Sequence, residues 1–224
     1  MTYDYGSGAL GDWSTLSHGT TGDFTTAAVA AFGDSILNRG RTKLASLLAA
    51  EPGAPGLATN YWSGRPTAPA VDALLGKAAE LEAAGQLMPR VVLMATGAND
   101  IFQPMVMAEQ IQRVKDAALE NNGVQHLIWV DVQVCRTSVS TQMQVYDQRN
   151  SGLVNNQIHD AFDIDHIVDW NRWLSYRGTS YVPYYLEDGV HPWTAAGATP
   201  YNHGDGVAFW ADVMMKKIRP LLTA

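Results

Sequence analysis

The chain has a single cysteine, Cys135, in 224 residues, so no intrachain disulfide can form. Cys135 follows the strand-like run 127–134 and reads as a small buried apolar residue. No neighbour in sequence would activate its thiol, which argues against a nucleophilic role. Basic residues are also few, 15 Lys and Arg against 22 Asp and Glu, giving a formal net charge of −7. No Lys/Arg run is available to neutralise phosphates, so no nucleic-acid partner is expected. The one local basic cluster, Arg39, Arg41 and Lys43, reads as a solvated helix face. No apolar stretch approaches the ~18–20 residues of a membrane span, so no transmembrane segment is expected. Residues 1–24 lack the basic start and apolar centre of a signal peptide. Two readings follow, a cytoplasmic protein or the mature form of a secreted one.

What remains is a globular composition, 46% hydrophobic and 17% charged, with length enough for one core and short for two. Residues 1–26 are rich in Gly, Ser, Thr and Asp, with Tyr3, Tyr5, Trp13 and Phe24 among them. They read as an extended arm packed by its aromatics, leaving 27–224 as a single domain. From residue 27 the pattern alternates. Strands are predicted over 27–32, 57–62, 90–95, 126–134 and 164–170. Helices are predicted over 36–50, 68–84, 105–120 and 142–162, the last with a break near Ser151-Gly152. A long loop, 171–190, then leads to a final helix over 206–218 that ends at Pro220. Alternating strands and helices of this length predict βαβ units, a parallel sheet and a three-layer α/β/α sandwich. Ligands of such sheets sit at the carboxyl ends of the strands. Ser35, Gly64 and Asn99 each follow a predicted strand, so all three belong on that edge.

Three short stretches carry chemistry. Phe32-Gly33-Asp34-Ser35 closes the first apolar run, Gly97-Ala98-Asn99-Asp100 follows the run 91–95, and Asp188-Gly189-Val190-His191-Pro192 lies late in the chain. Together they supply a hydroxyl, an amide donor, a carboxylate and an imidazole. A serine hydroxyl is a weak nucleophile at neutral pH and needs an adjacent base. Histidine takes its proton and returns it to the leaving group, while a carboxylate on the other ring nitrogen fixes the tautomer. Ser35 stands at a strand-to-helix turn, where its N–H can face an oxyanion. The same position also suits a helix cap. Asp188 and His191 are three residues apart, so one short turn can carry both, and Pro192 stiffens the exit. His203 with Asp205 is a rival pair, and spacing alone does not choose between them.

In these residues the chain resembles the SGNH hydrolases, also called the GDSL esterase/lipase family, from about residue 27 to 221. The family's first block is matched by Gly33-Asp34-Ser35, with Ile36 where the family name has Leu. Its Gly-x-Asn-Asp block is matched by Gly97-Ala98-Asn99-Asp100, and its Asp-x-x-His block by Asp188 and His191. The second block departs. Asn60-Tyr61-Trp62-Ser63-Gly64-Arg65 has Trp62 near the place where a first Gly is common, and Gly64 is the match for the glycine that follows. The resemblance implies a flavodoxin-like sandwich of five parallel strands and hydrolysis through an acyl-enzyme. It implies Ser35 as nucleophile, His191 as base and Asp188 as its orienter, and so decides against His203. It also implies an oxyanion hole of the Ser35 N–H, the Gly64 N–H and Asn99. The order Ser, Asp, His occurs in α/β-hydrolases too, but those carry Gly-x-Ser-x-Gly at the nucleophile, which Ser35 lacks.

The chemistry so implied calls for no metal or organic cofactor. His159-Asp160-Ala161-Phe162-Asp163-Ile164-Asp165-His166 is rich in metal-ligand types but straddles a predicted helix-to-strand junction, and reads as a solvated turn. Trp62 and Trp193 flank proposed site residues and are candidate sugar-stacking platforms, and Arg65 is a candidate contact for a polar substrate group. The expected function is hydrolysis of short acyl esters, acetyl above all, on a small molecule or a glycan. Acyl transfer, lysophospholipase or thioesterase activity, and a catalytically silent binding domain are the alternatives.

Overall fold

A computed structural model describes residues 16–176, 182–195 and 203–223. The aromatics Tyr3, Tyr5 and Trp13 of the arm lie outside the described residues. Two strands, β2 (Val29–Gly33) and β4 (Val91–Ala95), are buried along their whole length. Uninterrupted apolar runs of this kind belong to strands covered on both faces. They pair in parallel, Val29 with Val91 through Gly33 with Ala95. On either side lie β3 (Leu57–Trp62) and β5 (His126–Val130), and β6 (Ile167–Val168) follows β5. These five strands are parallel, as the alternation predicts, and their order β3-β2-β4-β5-β6 is the flavodoxin-like one that the resemblance implies.

The sheet has a sixth strand that the sequence did not announce. β1 (His18–Thr21), part of the arm, pairs antiparallel with β3. Phe24, next along the arm, is buried and meets the Phe32 ring at 5.6 Å.

Helices follow each parallel strand: α1 (Ser35–Ala49), α2 (Thr67–Ala83), α3 (Met107–Asp116) and α4 (Thr141–Ala161), with short α5 (Trp170–Ser175) and α6 (Val182–Tyr185) ahead of α7 (Gly206–Leu221). α1 packs with α7, α2 with α3, and α3 with α4. These are the two helical layers that right-handed crossovers place on opposite faces.

Several boundaries differ from the periodicity. The strand expected over 126–134 stops at Val130 because the Asn155 side chain takes over as partner. It accepts from the Val132 N–H at 2.8 Å and donates to the Val132 carbonyl at 2.9 Å. The strand expected over 164–170 shrinks to two residues, since only Ile167 and Val168 meet β5 and Trp170 already begins α5. α4 runs unbroken through Ser151-Gly152, where Ser151 is buried against the segment after β5 and donates to the Val134 carbonyl. The long loop over 171–190 contains the helices α5 and α6. The helix expected over 105–120 is shorter, because Ala118 takes a left-handed conformation with φ 47°.

One glycine sets how closely α1 and α7 approach. A Cβ on Gly40 would lie 2.3 Å from the ring of the fully buried Trp210. Gly40→Ala adds about 1 kcal/mol of helix propensity, but overpacking a close contact costs about 1–3 kcal/mol. The variant is expected to unfold at lower urea concentration than the wild type. An unchanged midpoint would contradict the tight contact.

Candidate active site

Ser35 is the first residue of α1, directly beyond the C-terminal end of β2. The helix starts there because Asp34 caps it, its Oδ1 accepting from the Ile36 N–H at 2.9 Å. Asp34, not Ser35, is the cap, which leaves the serine hydroxyl available. That hydroxyl lies 2.8 Å from His191 Nε2, although the two residues are 156 apart in sequence. His191 Nδ1 in turn lies 2.7 Å from Asp188 Oδ2. An ionised carboxylate only accepts, so Nδ1 carries the ring proton and Nε2 is left to accept from Ser35.

The Asp188 turn is built to hold that arrangement. Its Oδ1 accepts from the N–H groups of Val190 and His191 at 3.0 and 2.8 Å. Partial burial pushes the Asp188 carboxyl up, but the hydrogen bonds from the His191 ring and backbone, the imidazole charge and the Val190 N–H outweigh it. The net result holds Asp188 well below the usual carboxylate range, so it stays ionised. Gly189 between them has φ +80°, and a Cβ there would strike the Cys135 carbonyl at 1.8 Å. The loop is tied back by Cys135 N–H to Gly189 O and Thr137 N–H to Asp188 O, at 3.0 and 2.9 Å. Arg39 fastens it to α1, donating to Glu187 and to the Pro192 carbonyl. The expected solvated face of Arg39, Arg41 and Lys43 is therefore corrected for the two arginines, while Lys43 is exposed. Arg39 holds the loop, and Arg41 lies over the Tyr61 ring at 4.4 Å. Nothing in the local sequence points to either partner.

Gly64 and Asn99 come to the same place. Gly64 follows β3 with φ +80°, and Asn99 follows β4 after Gly97, whose φ is +123°. Among the described residues, neither the Ser35 nor the Gly64 N–H donates to a protein acceptor. Asn99 Nδ2 faces Asp34 Oδ2 at 3.3 Å and the Arg65 carbonyl at 3.2 Å. Both contacts are long for N–H···O hydrogen bonds. Ser35, Gly64, Asn99, Asp188 and His191 all line one cleft of about 350 Å³. Phe102, Ile101, Val134 and Val190 give it apolar walls. Arg136 also lines it, held by Asp147 through two side-chain bonds of 2.9 and 2.7 Å and set over the Phe102 ring. Arg136 went unnoticed in the sequence because its partner lies a loop away.

The three candidate substrate contacts lie elsewhere. Arg65 is 2% exposed, with its guanidinium bonded to the side chain and carbonyl of Asn60, so it is a core residue and not a substrate contact. Burial pushes its pKa down to about 10, against the pull of the Asp34 charge, so it remains a cation at neutral pH. Trp62 meets the tilted His18 ring at 4.7 Å at the β1–β3 edge, and Trp193 stacks on His203 at 3.8 Å. Neither lines the cleft. The rival Asp205 caps α7, accepting from Ala208 N–H at 2.8 Å.

The stretch 159–166 is more than a solvated turn at one end. His159 reaches Asp131 at 3.3 Å and Asp169 at 3.6 Å, both placed just beyond strand ends. Ligand atoms of the three lie within 4.8 Å of one another, close enough for a cation. The hydrogen bond to Asp131 raises the His159 pKa, against the effect of partial burial.

No family model matches the sequence, and no curated protein does. Solved structures do resemble the fold. Axe2, an acetylxylan esterase from Geobacillus stearothermophilus, superposes with a TM-score of 0.54 at 15% identity, over 88% of this chain and 96% of its own. LAE5, an alpha/beta hydrolase enzyme from the metagenome of Lake Arreo, Spain, gives 0.57 at 15% identity, over 89% and 99%. TesA gives 0.52 at 17% identity, over 86% and 98%. At these identities the likeness shows a shared fold.

Asp34 is fully buried, and burial raises its pKa to about 6 in spite of the Ile36 N–H and the nearby His191 and Arg65 charges. Its folded pKa is above the unfolded value, so the folded state binds the extra proton and stability falls as pH rises through the window from about 4 to 6. At about 1.36 kcal/mol per pKa unit, the loss from this group is about 3 kcal/mol. Asp34→Asn is expected to flatten that part of the stability profile in urea denaturation at pH 4 to 6.5. A variant profile parallel to the wild type would overturn the assignment.

Proposed function

We propose that this chain is a serine ester hydrolase of the SGNH type, with residues 27–224 as its catalytic domain. The observation that carries the reading is the hydrogen-bonded chain from Ser35 Oγ to His191 Nε2 and from His191 Nδ1 to Asp188, opening into a cleft with three donors around it. Ser35 attacks the acyl carbonyl and passes its proton to His191 Nε2. Asp188 keeps the Nδ1 proton in place and stabilises the imidazolium that forms. The negative oxygen of the tetrahedral intermediate is received by the N–H groups of Ser35 and Gly64 and by the Asn99 amide. As the intermediate collapses, His191 returns the proton to the departing alcohol and Ser35 is left acylated. Water, activated by the same imidazole, then releases the acid.

Short acyl groups on carbohydrate are the preferred substrate class. The cleft, at about 350 Å³, is small against the usual range for drug-sized ligands. Acetylxylan esterases among the structural neighbours support the same class. An acceptor alcohol replacing water in the second step would make the enzyme a transferase without any change in these residues.

Ser35→Ala is expected to lower p-nitrophenyl acetate turnover by at least about 10⁴-fold while leaving the melting curve intact. Asn99→Ala is expected to cost about 10²–10³-fold in kcat. Turnover by Ser35→Ala equal to the wild type would sink the proposal. A higher kcat/KM for octanoate than for acetate esters would keep the esterase and reject the short-acyl assignment. Product analysis with acetylated xylooligosaccharide and an added acceptor alcohol separates hydrolysis from transfer.

A further inference from the structure

The wall that carries the Asp188–His191 turn has a second face. Along the extended segment after β5, Val134, Arg136 and Ser138 line the cleft, while Gln133, Cys135 and Thr137 line a separate cavity behind it. The same division runs through the late loop, with Asp188 and Val190 on the cleft side and Gly189 on the other. Alternation of this kind is what an extended chain does, since successive side chains point to opposite sides. The cavity behind the wall is about 510 Å³, larger than the cleft.

Its α4 side is polar. Gln144, Gln148, Ser151 and Asn155 are spaced by four, three and four residues, so they form one stripe of α4. Ser151 is buried, Gln144 and Asn155 are half-buried and Gln148 is exposed, so the cavity opens to solvent along this stripe. No acid, base or histidine lines the cavity among the described residues. Part of the polar inventory is used within the protein: Asn155 holds Val132, and the Gln148 amide donates to the Cys135 sulfur at 3.3 Å. Other groups are not. Among the described residues, the Thr137 hydroxyl and the carbonyl oxygens of Gln144 and Gln148 take no intramolecular hydrogen bond. A cavity of uncharged donors and acceptors on carbon stems matches a ligand with many hydroxyls, carbon–hydrogen faces and no charge. Among the described residues, no charged lining group meets a phosphate, a carboxylate or an ammonium group.

We infer that this cavity is a second, non-catalytic binding site for a neutral carbohydrate chain, seated behind the catalytic wall. Its use rests on the glycan-ester reading above. A polymer held there keeps its own ester groups near the cleft at raised effective concentration.

Cys135 makes the test direct, because it is the only thiol in the chain and it lines the cavity. Unacetylated xylotetraose is expected to slow iodoacetamide alkylation of Cys135, by about ten-fold at ten times its Kd. Ser35→Ala should show the same protection, so a missing esterase activity and a missing second site are told apart. Gly152 opens onto the cavity with nothing within 4 Å of an added Cβ. Gly152→Trp therefore fills the space, and Trp suits a helix better than Gly. It is expected to abolish the binding heat of xylotetraose in titration calorimetry while p-nitrophenyl acetate turnover stays within about two-fold, a modest tolerance for a site outside the cleft. Gln148→Ala, which keeps the fold and removes one polar partner, should weaken xylotetraose at least about five-fold. No protection by xylotetraose or cellotetraose at tens of millimolar would overturn the proposal. Equal binding by Gly152→Trp, or equal protection by charged oligogalacturonate, would overturn it as well.

Discussion

One buried carboxylate joins the parts of this structure. Asp34 is removed from solvent between a strand end and a helix start, and both of its oxygens are committed. One caps α1, which fixes the backbone of Ser35. The other faces the Asn99 amide, which belongs to the loop after the neighbouring strand. Arg65, on the loop after β3, lies near enough for its charge to pull on Asp34, and its carbonyl takes the second Asn99 contact. A buried acid is unfavourable unless such partners surround it. The three loops that leave the sheet edge are thus locked together through polar groups, not merely brought near one another by the strands.

The fourth piece arrives from the far end of the chain and has no strand to position it. The Asp188–His191 turn depends on a glycine with positive φ, on backbone bonds to the segment after β5, and on Arg39 from α1. That segment leaves the sheet early because Asn155 satisfies Val132 in place of a strand neighbour. The short β5 is therefore part of how the imidazole is carried. A full-length strand through residue 134 would keep the wall flat in the sheet and away from the turn.

The resulting wall separates two environments of different chemistry. On one side are Ser35, His191 and an apolar-walled cleft. On the other, among the described residues, are amides and hydroxyls without charge. Substitutions in this segment act on one side or the other according to the parity of their position.

Much of this was legible in the chain itself. Uninterrupted apolar runs mark β2 and β4 because strands covered on both faces have no solvent side to keep polar. The blocks at Ser35 and Asn99 stood out because short stretches of polar residues at strand ends are where such a fold places ligands, and the family resemblance singled out Asp188 and His191 over His203 and Asp205. Other features were decided only by tertiary structure. Trp62, Arg65 and Trp193 lie close to site residues in sequence, yet none lines the cleft, because each takes a partner elsewhere: His18, Asn60 and His203. Arg39, Arg136 and His159 take partners far away in sequence: Glu187, a loop removed at Asp147, and Asp131. The arm's pairing with β3 was equally hidden, since His18–Thr21 is short, polar and mostly exposed, and only an open sheet edge gives it a place. Local pattern reports which face of an element is apolar. It does not report which distant group will meet the polar one, and in this protein that meeting positions each group of the candidate site.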